Sequence, residues 1–212
     1  MLDQVKQEKI IAVLRHVPPA KLVHTVEALS DGGIKIIEVT MNSGDALKCI
    51  SKLRELYSQE KLIIGAGTVL NLSMAKEAIS AGAQFLISPN LDIPAIHYAT
   101  EQAIDFWPGV ITPTEAVNAW NAGANAVKLF PAGRLGAAFI KDIKGPLSDI
   151  PIIATGGITL QNQHTFLQAG AAAVGLGGEL IKMDFINNNR FDELRQHASQ
   201  FVEEISSESG IR

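Results

Sequence analysis

The chain has 212 residues, 47% of them hydrophobic and 19% charged, a balance that excludes a disordered polymer and suits one domain, residues 1–212, with a sizeable core. The net charge of −4 argues against a nucleic-acid partner. The lone cysteine, Cys49, excludes an intramolecular disulfide and a cysteine-rich zinc site and fits a reducing, cytoplasmic setting.

The polar opening segment Met1–Ile10 lacks the apolar run of a signal peptide, and no later run is long enough for a membrane partner. Met1–Lys9 reads as an extra helix ahead of the first strand. Short apolar runs then follow at Ile10–Arg15, Ile34–Thr40, Leu62–Thr68, Phe85–Pro89, Phe106–Val110, Ala126–Pro131, Ile152–Gly157 and Ala173–Gly178. Most are rich in Val and Ile and are bounded by turn residues, the pattern of buried strands. Stretches of helical period lie between them. Lys21–Leu29 brings Leu22, Val23, Val26 and Leu29 to one side, and Leu72–Ile79 does the same with Met74, Ala75, Ala78 and Ile79. Asn71 and Thr112 offer caps at helix starts. Glycines at Gly33, Gly82, Gly123 and Gly170 fall between a helical stretch and the next strand, where a left-handed cap is expected. Asp184–Ile205 reads as one last helix with Phe185, Phe191, Leu194, Phe201, Val202 and Ile205 on its apolar side. Eight strands alternating with helices predict an α/β fold, a (β/α)8 TIM barrel, with an open doubly wound sheet as the alternative.

In such barrels the chemistry sits at the C-terminal ends of the strands. Lys128 interrupts the otherwise apolar Ala126–Pro131. Burial lowers a lysine pKa and favours the free amine that a nucleophile needs. The alternative is a structural cation paired with a carboxylate, or one that reaches out to solvent. Glu38 stands in Ile-Ile-Glu-Val-Thr under the same constraint, as a proton shuttle or as a structural partner of Lys128 or Arg15. Arg15 ends the first run and could grip a carboxylate, or make only a surface ion pair. Gly156-Gly157 and Gly177-Gly178 end the seventh and eighth runs, where barrel phosphate sites often lie. The five histidines show no metal-ligand spacing. Trp107 and Trp120 read as packing groups and Cys49 as an inert thiol.

This pattern resembles the bacterial 2-keto-3-deoxy-6-phosphogluconate (KDPG) and 4-hydroxy-2-oxoglutarate (KHG) aldolases over nearly the whole chain. The motifs that carry it are Glu38-Val39-Thr40, Gly65-Ala66-Gly67-Thr68-Val69-Leu70, Ile87-Ser88-Pro89, Pro108-Gly109-Val110, Lys128-Leu129-Phe130-Pro131-Ala132, Thr155-Gly156-Gly157-Ile158 and Gly177-Gly178. The resemblance implies a class I aldolase of carbohydrate metabolism, in the Entner–Doudoroff context. It has no metal and no cofactor beyond a lysine Schiff base with a small keto-acid substrate. It implies Lys128 as the Schiff-base lysine, Glu38 as the acid/base, Thr68 and Pro89 around the pyruvate portion, and the two glycine pairs at the phosphate. It also implies a homotrimer.

Three departures stand out. Many relatives carry an arginine shortly after Glu-Val-Thr, where this chain has Asn42. The sister branch acting on 2-keto-3-deoxy-6-phosphogalactonate also has Asn-Ser there, and shares Ile11-Ala12-Val13-Leu14-Arg15 on the first strand, so Arg15 is expected to supply the missing cation. Thr155, by contrast, resembles the gluconate branch. Its hydroxyl can bond a substrate hydroxyl of one configuration, which favours the gluconate epimer and leaves the galactonate epimer as the alternative. Glu179, close to the expected phosphate site, would repel a phosphate if it faced inward. A phosphate-binding barrel isomerase or epimerase, or a barrel without catalysis, is the more distant alternative, and Lys128 speaks against both.

Overall fold

A computed structural model describes residues 1–208. Residues 209–212, which the sequence reading placed in the same domain, lie outside the described residues. The strands are β1 (Ile10–Leu14), β2 (Ile36–Thr40), β3 (Ile63–Gly67), β4 (Phe85–Ile87), β5 (Asp105–Trp107), β6 (Gly109–Val110), β7 (Val127–Leu129), β8 (Ile152–Thr155) and β9 (Ala173–Leu176). The helices are α1 (Leu2–Glu8), α2 (Leu22–Asp31), α3 (Ala46–Leu56), α4 (Leu72–Ser80), α5 (Ile93–Glu101), α6 (Pro113–Asn121), α7 (Ala132–Leu135), α8 (Ala137–Lys144), α9 (Gln163–Gln168), α10 (Met183–Asn187) and α11 (Phe191–Glu208).

Every strand pairing is parallel, in the order β5-β4-β3-β2-β1-β9-β8-β7-β6. The two end strands are halves of one predicted run, split at Pro108, which has no N–H to place in a ladder. The chain passes through Pro108 from a strand paired with β4 to one paired with β7 and so closes the ring. The barrel is therefore formed, the open sheet is excluded, and the eight predicted runs appear as nine short strands.

The predicted punctuation is present. Gly33, Gly82, Gly123 and Gly170 have φ of 95°, 95°, 101° and 105°, the left-handed conformation that a side chain resists. Thr112 and Glu115 form a capping box on α6, and the Asn71 side chain accepts from the Met74 N–H at the start of α4. The single last helix expected over Asp184–Ile205 is instead two, α10 and α11. They part at Asn188–Arg190, where Asn189 turns left-handed at φ 55°.

The core has two layers. One lies between the sheet and the surrounding helices, where Ala12, Leu14, Ile37, Val39, Ile64 and Leu86 point outward from the strands. The other fills the barrel, with Ile11, Ile36, Ile63, Phe85, Trp107 and Ile153 packed against Val5 of α1. The predicted N-terminal helix thus plugs the floor. No described helix is long and apolar enough to cross a membrane. The closure at Pro108 leaves little room, since a Cβ at Gly109 would lie 2.2 Å from the backbone carbon of Pro89. Gly109→Ala is therefore expected to destabilise the fold by about 2 kcal/mol or more, read as a lower urea midpoint.

Candidate active site

Strand alternation assembles the site. Two residues above the apolar floor on the inward face come Val13 on β1, Glu38 on β2, Gly65 on β3, Lys128 on β7, Thr155 on β8 and Gly175 on β9. Two further along come Arg15, Thr40, Gly67, Phe130, Gly157 and Gly177. Glu38 and Lys128 therefore lie inside the barrel, at its C-terminal end.

Both are almost wholly buried, Lys128 at 3% and Glu38 at 1% exposure. Among the described residues Lys128 makes no ion pair, and its Nζ stands 5.1 Å from the centre of the Phe130 ring. Burial lowers its pKa from the usual 10.5; Glu38 opposes that shift and Arg15 adds to it. Burial likewise raises the Glu38 carboxyl above 4.5, against the pull of Lys128 and Arg15. Glu38 Oε1 is buried without a hydrogen-bond partner. Burial thus disfavours the charged form of each group, against their mutual attraction.

Glycines make the room. A Cβ at Gly67 would fall 1.6 Å from Glu38 Oε1, and one at Gly65 would strike the Phe85 ring at 2.4 Å. A Cβ at Gly175 would meet Thr155 Oγ1 at 2.4 Å. Gly65 and Gly67 were visible in the sequence as members of a motif and Gly175 only as part of an apolar run, and the steric role of none of them was visible. Their signal was a glycine at every second residue, in phase with Glu38 and Lys128. Phe130 was likewise quoted only as part of a motif.

A cavity of about 600 Å³ opens beside this layer. Arg15, His16, Phe130, Thr155, Gly156, Gly157, Gly177, Gly178 and Glu179 are among its lining residues. The predicted arginine, threonine and both glycine pairs are therefore together. Arg15 is exposed and makes no ion pair among the described residues. Thr155 is 8% exposed, and its hydroxyl has no partner among the described residues. Glu179 lines the cavity and pairs with Lys182 at 3.4 Å. Thr68 and Pro89 are half-buried at the same end of the barrel but do not line this cavity. Thr68 has φ 57°, an unusual conformation for a β-branched residue. Another cavity, of about 510 Å³, lies at the opposite, N-terminal end and carries none of the predicted site residues. Trp107 is fully buried as expected, whereas Trp120 keeps 39% of its surface exposed. Cys49 is buried.

A closed parallel barrel with a desolvated amine and carboxyl above an apolar floor defines a class, the barrel enzymes that build their chemistry at the strand ends. The comparisons with known proteins narrow it. The family model for KDPG and KHG aldolases matches residues 1–197. The chain is 34% identical to the 2-dehydro-3-deoxy-6-phosphogalactonate aldolase of Escherichia coli (strain K12), covering 91% of this chain and 92% of that protein. It is also 34% identical to the 2-dehydro-3-deoxy-phosphogluconate aldolase of Dickeya dadantii (strain 3937), covering 86% of each. The KDPG aldolase of Legionella pneumophila, solved with pyruvate captured as a covalent carbinolamine, superposes with a TM-score of 0.87 at 27% identity, covering 94% of this chain and 97% of that one. The protein belongs to the KDPG and KHG aldolase family, the Schiff-base, class I lyases.

The unpaired ammonium has a measurable cost. Below pH 10.5 the unfolded chain holds a proton on Lys128 that the folded chain gives up more readily. Wild-type stability therefore rises with pH between the lowered folded value and 10.5. Lys128→Met is expected to be more stable at pH 7 by about 1–4 kcal/mol, an advantage that shrinks as the pH approaches 10.5. Urea titrations of both proteins at pH 7 and pH 10 check this.

Proposed function

We propose that the protein cleaves 2-keto-3-deoxy-6-phosphogluconate into pyruvate and glyceraldehyde 3-phosphate, and 4-hydroxy-2-oxoglutarate into pyruvate and glyoxylate. The observation that carries this reading is the buried, unpaired Lys128 amine above the apolar floor, with the Glu38 carboxyl in the same interior.

Lys128 Nζ attacks the C2 ketone to give a carbinolamine; Glu38 gives its proton to the departing hydroxyl, so that water leaves and an iminium and the Glu38 carboxylate remain. The iminium accepts the electron pair of the C3–C4 bond. The Glu38 carboxylate takes the C4 hydroxyl proton, and the aldehyde leaves. The enamine is then protonated at C3 by Glu38, and water releases pyruvate and the free amine. A Glu38 carboxyl pushed up by burial suits a group that accepts a proton in one step and returns it in the next. Arg15 holds the substrate carboxylate, with Thr68 and Pro89 around the pyruvate portion. The backbone of Gly156, Gly157, Gly177 and Gly178 receives the phosphate. The protein works as a homotrimer in the cytoplasm. The exposed Val117 and Trp120, three residues apart on α6, together with exposed Ile93 and Ile111, support burial against another copy.

Borohydride reduction in the presence of pyruvate tests the mechanism. Mass spectrometry is expected to find a pyruvate-derived adduct on Lys128, with trapping that rises with pH and reaches half-maximum below 10.5. A folded protein without adduct would end the reading.

For the epimer, the two aldolases compared are equally identical to this chain, and the residues of the site divide between the readings. The unpartnered Thr155 hydroxyl supports the gluconate epimer. Arg15 and Asn42 favour the second reading, the galactonate epimer. Thr155→Val is expected to lower the gluconate-to-galactonate ratio of kcat/KM by about tenfold, measured with both sugar acids.

A further inference from the structure

A chain of hydroxyls passes from β1 to β2 and returns. The His16 N–H donates to Ser43 Oγ at 2.9 Å. Ser43 Oγ and Thr40 Oγ1 stand 2.9 Å apart, and Thr40 Oγ1 donates to the Leu14 carbonyl at 3.3 Å. A hydroxyl has one proton. Thr40 commits its proton to Leu14, so between the two hydroxyls Ser43 donates and Thr40 accepts. The direction is then fixed throughout: His16 N–H to Ser43, Ser43 to Thr40, Thr40 to Leu14 C=O. It begins on the residue after Arg15 and ends on the residue before it.

The backbone at this point needs holding. Arg15 follows the last residue of β1, and His16 takes φ 57°, a left-handed conformation that persists only where the surroundings impose it. Ser43 is itself anchored, since its N–H donates to the Thr40 carbonyl at 2.9 Å. Thr40 is fully buried at the end of β2, two residues beyond Glu38 on the same inward face. The clip therefore ties the peptide on each side of Arg15 to the strand that carries Glu38. Among the described residues Arg15 has no ion pair to direct it, and its side chain is long and flexible.

We infer that Ser43, through Thr40, is a positioning residue that fixes the backbone on both sides of Arg15 and so aims its guanidinium at the substrate carboxylate. This rests on the reading of Arg15 as the carboxylate ligand. Ser43 is not among the residues that line the cavity at Arg15. Its removal weakens binding and leaves the Lys128 chemistry in place.

The test is steady-state kinetics on the keto-acid substrate for Ser43→Ala, Ser43→Thr, Arg15→Ala and the Ser43→Ala/Arg15→Ala double variant. Ser43→Ala is expected to raise KM about five- to tenfold, with kcat within about twofold of wild type. Ser43→Thr keeps a hydroxyl and is expected to recover most of the loss. In the Arg15→Ala background, Ser43→Ala is expected to add nothing, because its effect passes through Arg15. Three results would overturn the inference: a fall in kcat at unchanged KM, no recovery with Ser43→Thr, or an equal rise in KM with and without Arg15. If Arg15→Ala raises KM while Ser43→Ala is silent, the clip alone fails. If Arg15→Ala itself leaves KM unchanged, the carboxylate reading fails, and the clip with it.

Discussion

Alternate side chains of every strand point into a closely packed, buried interior, and that constraint orders the rest of the molecule. An ionisable group placed there loses its hydration and shifts toward its neutral form. The floor of the barrel is accordingly apolar, from Val5 of α1 through Ile11, Ile36 and Ile153. The ionisable side chains enter only one layer higher, at Glu38 and Lys128. The neighbouring inward positions on β3 and β9 are glycines, Gly67 leaving room for Glu38, Gly65 for Phe85 and Gly175 for Thr155. Desolvation and space are two sides of one arrangement. The strand that carries Glu38 requires the strand that carries Gly67.

The site divides by exposure. The amine and the carboxyl are sealed in the interior, where small changes of surroundings move a proton affinity a long way. Arg15 and the glycine loops line an open cavity, where a ligand can arrive hydrated and be oriented. Recognition at the mouth and proton chemistry below are thus built by different stretches of the same strands. Glu179 is part of the mouth and is turned partly toward Lys182, which tempers its repulsion of an anion.

Much of this was legible in the chain itself. Val- and Ile-rich runs between helical stretches announced the parallel strands, and the four glycines after helices marked where each unit ends. Lys128 and Glu38 stood out because a charged residue in an apolar run is costly. The rest depended on partners distant in sequence. Pro108 splits a run that hydrophobicity alone shows as continuous, and only the two neighbours of that run reveal that the split closes the ring. The break at Asn188–Arg190 is hidden because the apolar positions on either side share one helical period. The Thr40–Ser43–His16 clip joins residues 27 positions apart, and nothing local foretells it. Pro89 entered through a family motif, and the cavity geometry leaves it and Thr68 aside.

The two tryptophans occupy opposite environments. Trp107 is sealed in the barrel floor, stacked on Phe85 at 4.7 Å with its indole N–H given to Asn125. Trp120 lies on α6 with 39% of its surface open to solvent. Their emission is therefore separable without any label, blue-shifted from the floor and red-shifted from the surface. The first component follows the integrity of the barrel interior, and the second follows whatever covers the α6 face, so that folding and self-association carry distinct optical signals in the natural sequence.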